Sequence, residues 1–245
     1  MASTNIDDVK NTIRERIWDL LEQQGAALDG DVHGRIPNFV GAQAAADRLA
    51  ELPVWQSSRV IKAVPDKAQL PARVRALREH KLVYMAVPKL AKQHPFYLLD
   101  PSALPVPPEV AASSHGAAEV ARNVGVDELR PIDLVICGSV AVNRDGVRLG
   151  KGAGYSDLEV ALLQEAGLIG PDTTIVTTVH QLQVVDTALP ETEHDFSVDL
   201  IVTPDEVIQC GPQRRPAGLL WDQLSEEQIA AIPTLAARAP RRADH

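Results

Sequence analysis

Ile132-Asp-Leu-Val-Ile-Cys-Gly-Ser-Val-Ala-Val142, followed after a short gap by Gly146-Val-Arg-Leu-Gly-Lys-Gly-Ala-Gly-Tyr-Ser-Asp157, is the stretch on which the fold turns. The first run is β-branched and nearly continuously apolar, as a strand covered on both faces has to be. The second places four glycines, two cations and a terminal aspartate ahead of a helical pattern whose apolar positions are Leu158, Ala161, Leu162 and Ala166, with Ser156 or Asp157 as the expected cap. A loop running from strand to helix in this way aims unpaired N–H groups, and the positive end of the helix dipole, at one point where a phosphate can sit.

The spacing is neither of the two familiar phosphate signatures. Gly146 and the Gly150-Lys151 pair are separated by three residues and followed by Gly152, where a Walker A loop has four and then Ser or Thr. The dinucleotide fingerprint fits Gly150 and Gly152, but its third glycine falls on Tyr155. Arg148 and Lys151 nevertheless suit a polyphosphate, and an acid at the helix start suits the Mg²⁺ that travels with one. Asp157 also reads as a plain helix cap, and the two roles are compatible.

Working outward, the chain alternates helix and strand. Residues 4–24 predict a helix with Ile6, Val9, Ile13, Ile17, Leu20 and Leu21 on one stripe, and Lys10 and Arg14 one turn apart beside it. That position suits cations reaching over the core rim towards a pocket, or an ordinary snorkelling surface pair. A helix over 41–52, a strand over 59–64, a helix over 70–80 and a strand over 81–87 follow, the last three forming a parallel βαβ unit. The prolines at 95, 101, 105, 107 and 108 predict a rigid loop over 95–111. Beyond it come a helix over 115–123, the signature strand, the glycine loop, a helix over 157–166, a strand over 173–178 and a last strand over 198–203. Residues 224–237 read as weakly helical and 238–245 as frayed. Such alternation predicts an α/β fold with a mostly parallel sheet, helices on both faces and ligands at the carboxyl ends of the strands.

Taken together, these residues resemble the 5-formyltetrahydrofolate cyclo-ligase (methenyltetrahydrofolate synthetase) family. Asp133-Leu-Val-Ile through Arg148-Leu-Gly-Lys-Gly-Ala-Gly-Tyr-Ser-Asp157 is similar to its signature, and Gln181, Leu189-Pro-Glu-Thr-Glu-His-Asp195 and Val198-Asp-Leu-Ile-Val-Thr203 to its second block, in the right order. Lys10 and Arg14 match the family's nucleotide-contacting pair. The resemblance implies a three-layer αβα fold of the cyclo-ligase and sugar-phosphate isomerase type, with one domain over 1–210 and a partly flexible extension over 211–245. It implies ATP- and Mg²⁺-dependent closure of 5-formyltetrahydrofolate to 5,10-methenyltetrahydrofolate, with release of ADP and phosphate. The carried-over site is ATP on Lys10, Arg14, Arg148, Gly150, Lys151, Gly152, Ala153, Gly154 and Tyr155, with Arg148 and Lys151 catalytic. The reduced folate falls on Ile61, Asp66 and Tyr155, and Mg²⁺ on Asp157 and Asp195. Pro65-Asp66 also reads as an ordinary turn start, and Asp195 as the end of a loop.

Several departures bear on the substrate. Ser156 stands where many members have a second tyrosine, and Cys137-Gly138 and Val142-Asn143 replace the usual Pro-Gly and Phe-Asp pairs. They point to an alternative, a cyclo-ligase-like paralogue that binds nucleotide or folate without turnover, or with another specificity, possible links to thiamin metabolism included. A sugar-phosphate isomerase or CoA-transferase-like enzyme is a further alternative, since similar sheets host those activities.

Composition narrows the classes. At 245 residues and 45% hydrophobic content the chain can bury a full core, and its net charge of −9 disfavours nucleic acid. Two cysteines, Cys137 and Cys210, make neither a disulfide framework nor a zinc site and read as buried and inert. Lone histidines at 180 and 194 are poor metal sites, and Gln181 and Gln183 either enter the pocket or decorate a loop. With no bilayer-length apolar run and a polar N-terminus, the expectation is a cytoplasmic monomer or homodimer acting on small molecules, not on a membrane.

Overall fold

A computed structural model describes residues 5–211 and 214–240. Its strands are β1 (Val60–Ala63), β2 (Leu82–Ala86), β3 (Phe96–Leu99), β4 (Arg122–Val124), β5 (Leu134–Cys137), β6 (Ala141–Asn143), β7 (Arg148–Leu149), β8 (Thr174–Thr178), β9 (Val184–Val185), β10 (Leu200–Val202) and β11 (Val207–Gln209). The helices are α1 (Ile6–Gln23), α2 (Ala42–Ala50), α3 (Pro53–Ser57), α4 (Leu70–Arg78), α5 (Pro108–Ala111), α6 (Ser114–Val120), α7 (Tyr155–Glu165), α8 (Glu226–Ala231) and α9 (Pro233–Arg238). The main sheet runs β11-β10-β8-β5-β1-β2-β3-β4. Its centre, β10, β8, β5, β1 and β2, is parallel, while β3, β4 and β11 pair antiparallel at the edges.

Alternation along the central strands divides the core into two layers. Val135, Ile175 and Ile201 point to one face, where they meet Leu162 and Leu163 of α7. Ile136, Val176 and Val202 point to the other, against Leu49 of α2 and Ala72 of α4. Helices on both faces of a mostly parallel sheet are the three-layer αβα arrangement expected from the sequence. A third cluster packs Ile17, Trp18 and Leu21 of α1 against Val140, Ala141 and Leu149.

The structure corrects four local readings. The apolar run from Ile132 to Val142 is two strands: β5 ends at Cys137, and β6 joins a small second sheet, β7-β6-β9. The break falls at Gly138, whose carbonyl accepts from Arg148 Nη2 (3.3 Å). The proline-rich loop contains β3, because its prolines flank the strand at 95 and 101 and leave the ladder N–H groups intact. Strand β10 is followed by β11, which hairpins back onto it. Finally, neither Ser156 nor Asp157 caps α7: Gly154 does, at φ 71°, a left-handed conformation glycine adopts without a Cβ clash. Residue 4 of the expected first helix, and 241–245 of the expected frayed end, lie outside the described residues.

Candidate active site

The sheet order reverses between β1 and β5, because β1 is followed by β2 on one side while β5 is followed by β8 on the other. Beside this switch point, at the carboxyl ends of β1 and β2, lies a cavity of about 810 Å³, within the ~300–1,000 Å³ typical of ligand pockets. One wall is the glycine loop and the start of α7. The others are the beginning of α1, residues 64–66 after β1, residues 86–90 at the end of β2, the loop of Thr192, His194 and Asp195, and a stretch between Pro216 and Gln228.

The loop amides are available to a ligand. Among the described residues, the N–H groups of Lys151, Gly152, Ala153, Gly154 and Tyr155 have no hydrogen-bond acceptor, and the first helical bond of α7 is from Leu158 N to Gly154 O (3.1 Å). Arg148 supports this loop from within. Its guanidinium, almost fully buried, donates to Asp157 Oδ1 (3.1 Å) and lies 4.4 Å from the Phe196 ring centre. A Cβ on Gly150 would come within 2.7 Å of Arg148 Nη2, so a larger residue there has to displace the guanidinium from this position.

Helix α1 delivers two more cations. Lys10 Nζ donates to Asp195 Oδ2 (2.6 Å), which Thr192 also holds through its backbone N–H (2.6 Å) and hydroxyl (3.0 Å). Arg14 Nε donates to Gly150 O (2.7 Å) and its Nη1 to Asn11 Oδ1 (2.6 Å). Both cations are buried, while Ile6 and Val9 of the expected apolar stripe are exposed. The first turns of α1 are therefore committed to the cavity and only the later ones to the core.

The acids respond to this environment in different ways. Burial raises the pKa of Asp157, with Arg148 opposing and the nearby Asp195 charge adding to the rise. Burial also acts to raise Asp195, but the hydrogen bonds from Lys10 and Thr192 outweigh it and its pKa is lowered. Asp66, at the cavity wall, is raised by burial against the pull of Lys151, Arg73 and Lys62. Lys151 is itself exposed at the cavity edge.

Of the residues nominated from sequence, Lys10, Arg14, Asp66, Arg148, Gly150, Lys151, Gly152, Ala153, Gly154, Tyr155, Asp157 and Asp195 all line this one cavity. Ile61 does not. It is fully buried in the core layer away from α7, because strand alternation turns it to the face opposite Val60 and Val64. The neighbouring Lys62 instead faces α7 and pairs with Glu159 there (2.8 Å), both almost fully buried. Gln183 is structural: its amide donates to Ser139 O (2.8 Å) and accepts from His180 N (2.8 Å). His180 accepts from Leu182 N (3.2 Å) in the same turn. His194 lines the cavity, and no cluster of three His, Cys, Asp or Glu side chains suited to a metal occurs among the described residues. Both cysteines are free. Cys137 is buried, whereas Cys210 is half-buried, its thiol pushed up to about 11 chiefly by burial.

Sequence reasoning missed Asn11, Thr192 and Phe196, which hold Arg14, Asp195 and Arg148 in place. Thr192-x-x-Asp195 carried a turn signal. Nothing in the sequence announced that Phe196 would lie beside Arg148.

An αβα sheet carries, beside its switch point, a cavity walled by a glycine loop of unpaired amides and faced by buried cations and carboxylates, which is the layout of an α/β protein with a charged cleft. The chain belongs to the 5-formyltetrahydrofolate cyclo-ligase family, whose sequence profile matches residues 6–204. It is 40% identical over 238 residues to the methenyltetrahydrofolate synthase domain-containing protein of Bos taurus, covering 92% of this chain and 60% of that protein. The Homo sapiens protein of the same name is 37% identical over 238 residues, with the same coverage. The chain thus spans about 60% of the length of these curated relatives. The NMR structure of Aquifex aeolicus 5,10-methenyltetrahydrofolate synthetase has the same fold, with a TM-score of 0.55, 19% identity, and coverage of 84% of this chain and 95% of that one. No helix among the described residues is long and apolar enough to cross a membrane.

Proposed function

We propose that this chain is an ATP- and Mg²⁺-dependent ligase that closes 5-formyltetrahydrofolate to 5,10-methenyltetrahydrofolate, releasing ADP and phosphate. The observation that carries this reading is the row of unpaired amides from Lys151 to Tyr155, which shares one cavity with Lys10, Arg14 and Lys151. Ring closure needs the formyl oxygen made a leaving group by phosphorylation, after which the second folate nitrogen attacks the activated carbon and phosphate departs. No protein nucleophile is required. The demand on the protein is alignment and charge neutralisation.

In this reading the loop amides and Lys151 hold the terminal phosphates, and Arg14 and Lys10 the rest of the nucleotide. Arg148, with its guanidinium already engaged by Asp157 and Gly138, acts chiefly by fixing the loop. Asp157 and Asp195 suit Mg²⁺: two carboxylates, one of them held protonation-prone by burial and by the charge of the other, match beside a phosphate site an ion that takes one or two carboxylates and fills its shell with phosphate oxygens and water. When bound, the ion would neutralise charge developing on the transferred phosphoryl group. Tyr155 and Asp66 face the remaining space and are assigned to the folate.

The test is ADP release and appearance of the methenyl chromophore when 5-formyltetrahydrofolate is added to enzyme with ATP and Mg²⁺. Lys151→Ala is expected to lower kcat/KM about a hundredfold or more without changing the melting temperature, since its side chain is exposed. No chromophore at high enzyme concentration would remove the assignment. Ser156, in place of an aromatic residue, favours one second reading, a nucleotide- or folate-binding paralogue without turnover, which predicts saturable ATP binding with no ADP formed.

A further inference from the structure

The family match ends at residue 204, yet the cavity is not complete there. Pro216, Leu220, Gln223 and Gln228 of the following segment contribute to its lining. We propose that this segment is a fixed wall of the substrate half of the cavity, taking the neutral, flat, amide-bearing body of the ligand and so setting which second substrate fits. This rests on the cyclo-ligase reading above.

Three observations support it. First, the segment is pinned along its length. Arg215 donates to Gly170 O (2.9 Å) and Thr173 O (2.7 Å), and Glu165 of α7 accepts from Leu219 N (3.3 Å) and Trp221 Nε1 (3.1 Å). Gln223 donates to Glu193 (3.1 Å), and Thr234, further on, to Gln93 O (3.1 Å). Second, Leu219 and Leu224 are buried in the same apolar cluster as Tyr155 and Leu158, so the segment presses on α7 where the ligand side of the helix begins. Third, its contribution to the cavity carries no charge, whereas Lys10, Arg14, Arg148 and Lys151 gather at the loop. A triphosphate is held by the charged half. An aliphatic surface beside the remaining ends of two primary amides, Gln223 having its NH₂ on Glu193 and Gln228 its carbonyl on Ser225 N (2.9 Å), suits a conjugated heterocycle and an aryl amide.

Leu220 is half-buried and not part of the core, so replacing it tests the wall without unfolding the chain. Leu220→Ala is expected to raise KM for 5-formyltetrahydrofolate about five- to tenfold, leaving KM for ATP and the melting temperature unchanged. Leu220→Met should return it to within about twofold of the parent value. An unchanged folate KM in Leu220→Ala and in Gln228→Ala, with the parent enzyme active, would overturn the wall alone. Parallel rises in both KM values with a lowered melting temperature would show a merely structural strap, and overturn it too. Should the parent protein bind ATP in calorimetry but neither bind nor convert 5-formyltetrahydrofolate, the cyclo-ligase reading and this inference fall together.

Discussion

Lys10 and Arg14 on α1 show how a site announces itself against the usual order of burial. Long cations are rarely buried and isoleucine rarely exposed, but here the cations are buried and Ile6 lies 37% exposed. The inversion arises because Asp195 and the Gly150 carbonyl give the cations partners that water would otherwise supply. Their position on the helix was legible in the sequence; which side of α1 they would face was not, since that depends on a loop 185 residues away. His33 acts at the same scale. Its ring bonds to Glu15 (2.7 Å), and Asp19 lies 3.3 Å from its other nitrogen, fastening the loop that carries Ile36 to the cavity. The hydrogen bond to Glu15 raises its pKa above the ordinary 6.5. A raised folded-state pKa gives stability that is fully present below the unfolded value and is lost as pH rises through the folded one. We expect the melting temperature to fall as pH is raised through the His33 titration, followed by NMR, and this part of the fall to vanish in His33→Gln.

Between elements, the pairing of Lys62 on β1 with Glu159 on α7 ties the strand that leads to Asp66 to the helix that follows the glycine loop. Burial raises the pKa of Glu159 and Lys62 opposes the rise. Breaking such a pair leaves an uncompensated buried charge, whereas removing both partners does not. Lys62→Met is therefore expected to lose about 3–5 kcal/mol in urea unfolding, and the double variant Lys62→Met, Glu159→Leu to recover most of it. A double variant as unstable as the single one would mean that the cost lies in packing. Periodicity marks β1 and α7 as elements, and the glycine loop is readable because its chemistry is local. Ile61 was misplaced because choosing between adjacent strand residues requires knowing which face the cavity adjoins. The break at Gly138 was equally hidden, because the Arg148 guanidinium that takes its carbonyl comes from the next hairpin.

At the scale of the whole molecule, residues 219–235 are built into the core. Leu219, Leu224, Ile232 and Leu235 are buried in the layer that covers α7, and each buried aliphatic side chain contributes roughly 1.5–3 kcal/mol. Their sum is comparable with the ~5–15 kcal/mol by which a typical domain is stable. A chain ending at residue 210 is accordingly expected to lose its cooperative thermal transition in calorimetry. A sharp transition near the parent temperature would show instead that residues 1–210 fold alone. The Pro-, Arg- and Ala-rich composition of the segment concealed this role, since its few apolar residues follow no long period.

What the sequence by itself determined was everything carried by local pattern: alternating helices and strands, a parallel core, and a glycine-rich loop opening a helix, each set by neighbouring side chains and backbone freedom. Only the tertiary structure decided which long-range partners neutralise the buried charges, which strand face meets the cavity, and that residues beyond the family match close it. Those outcomes depend on desolvation and packing between segments far apart in the chain, and such energies have no expression until the segments meet.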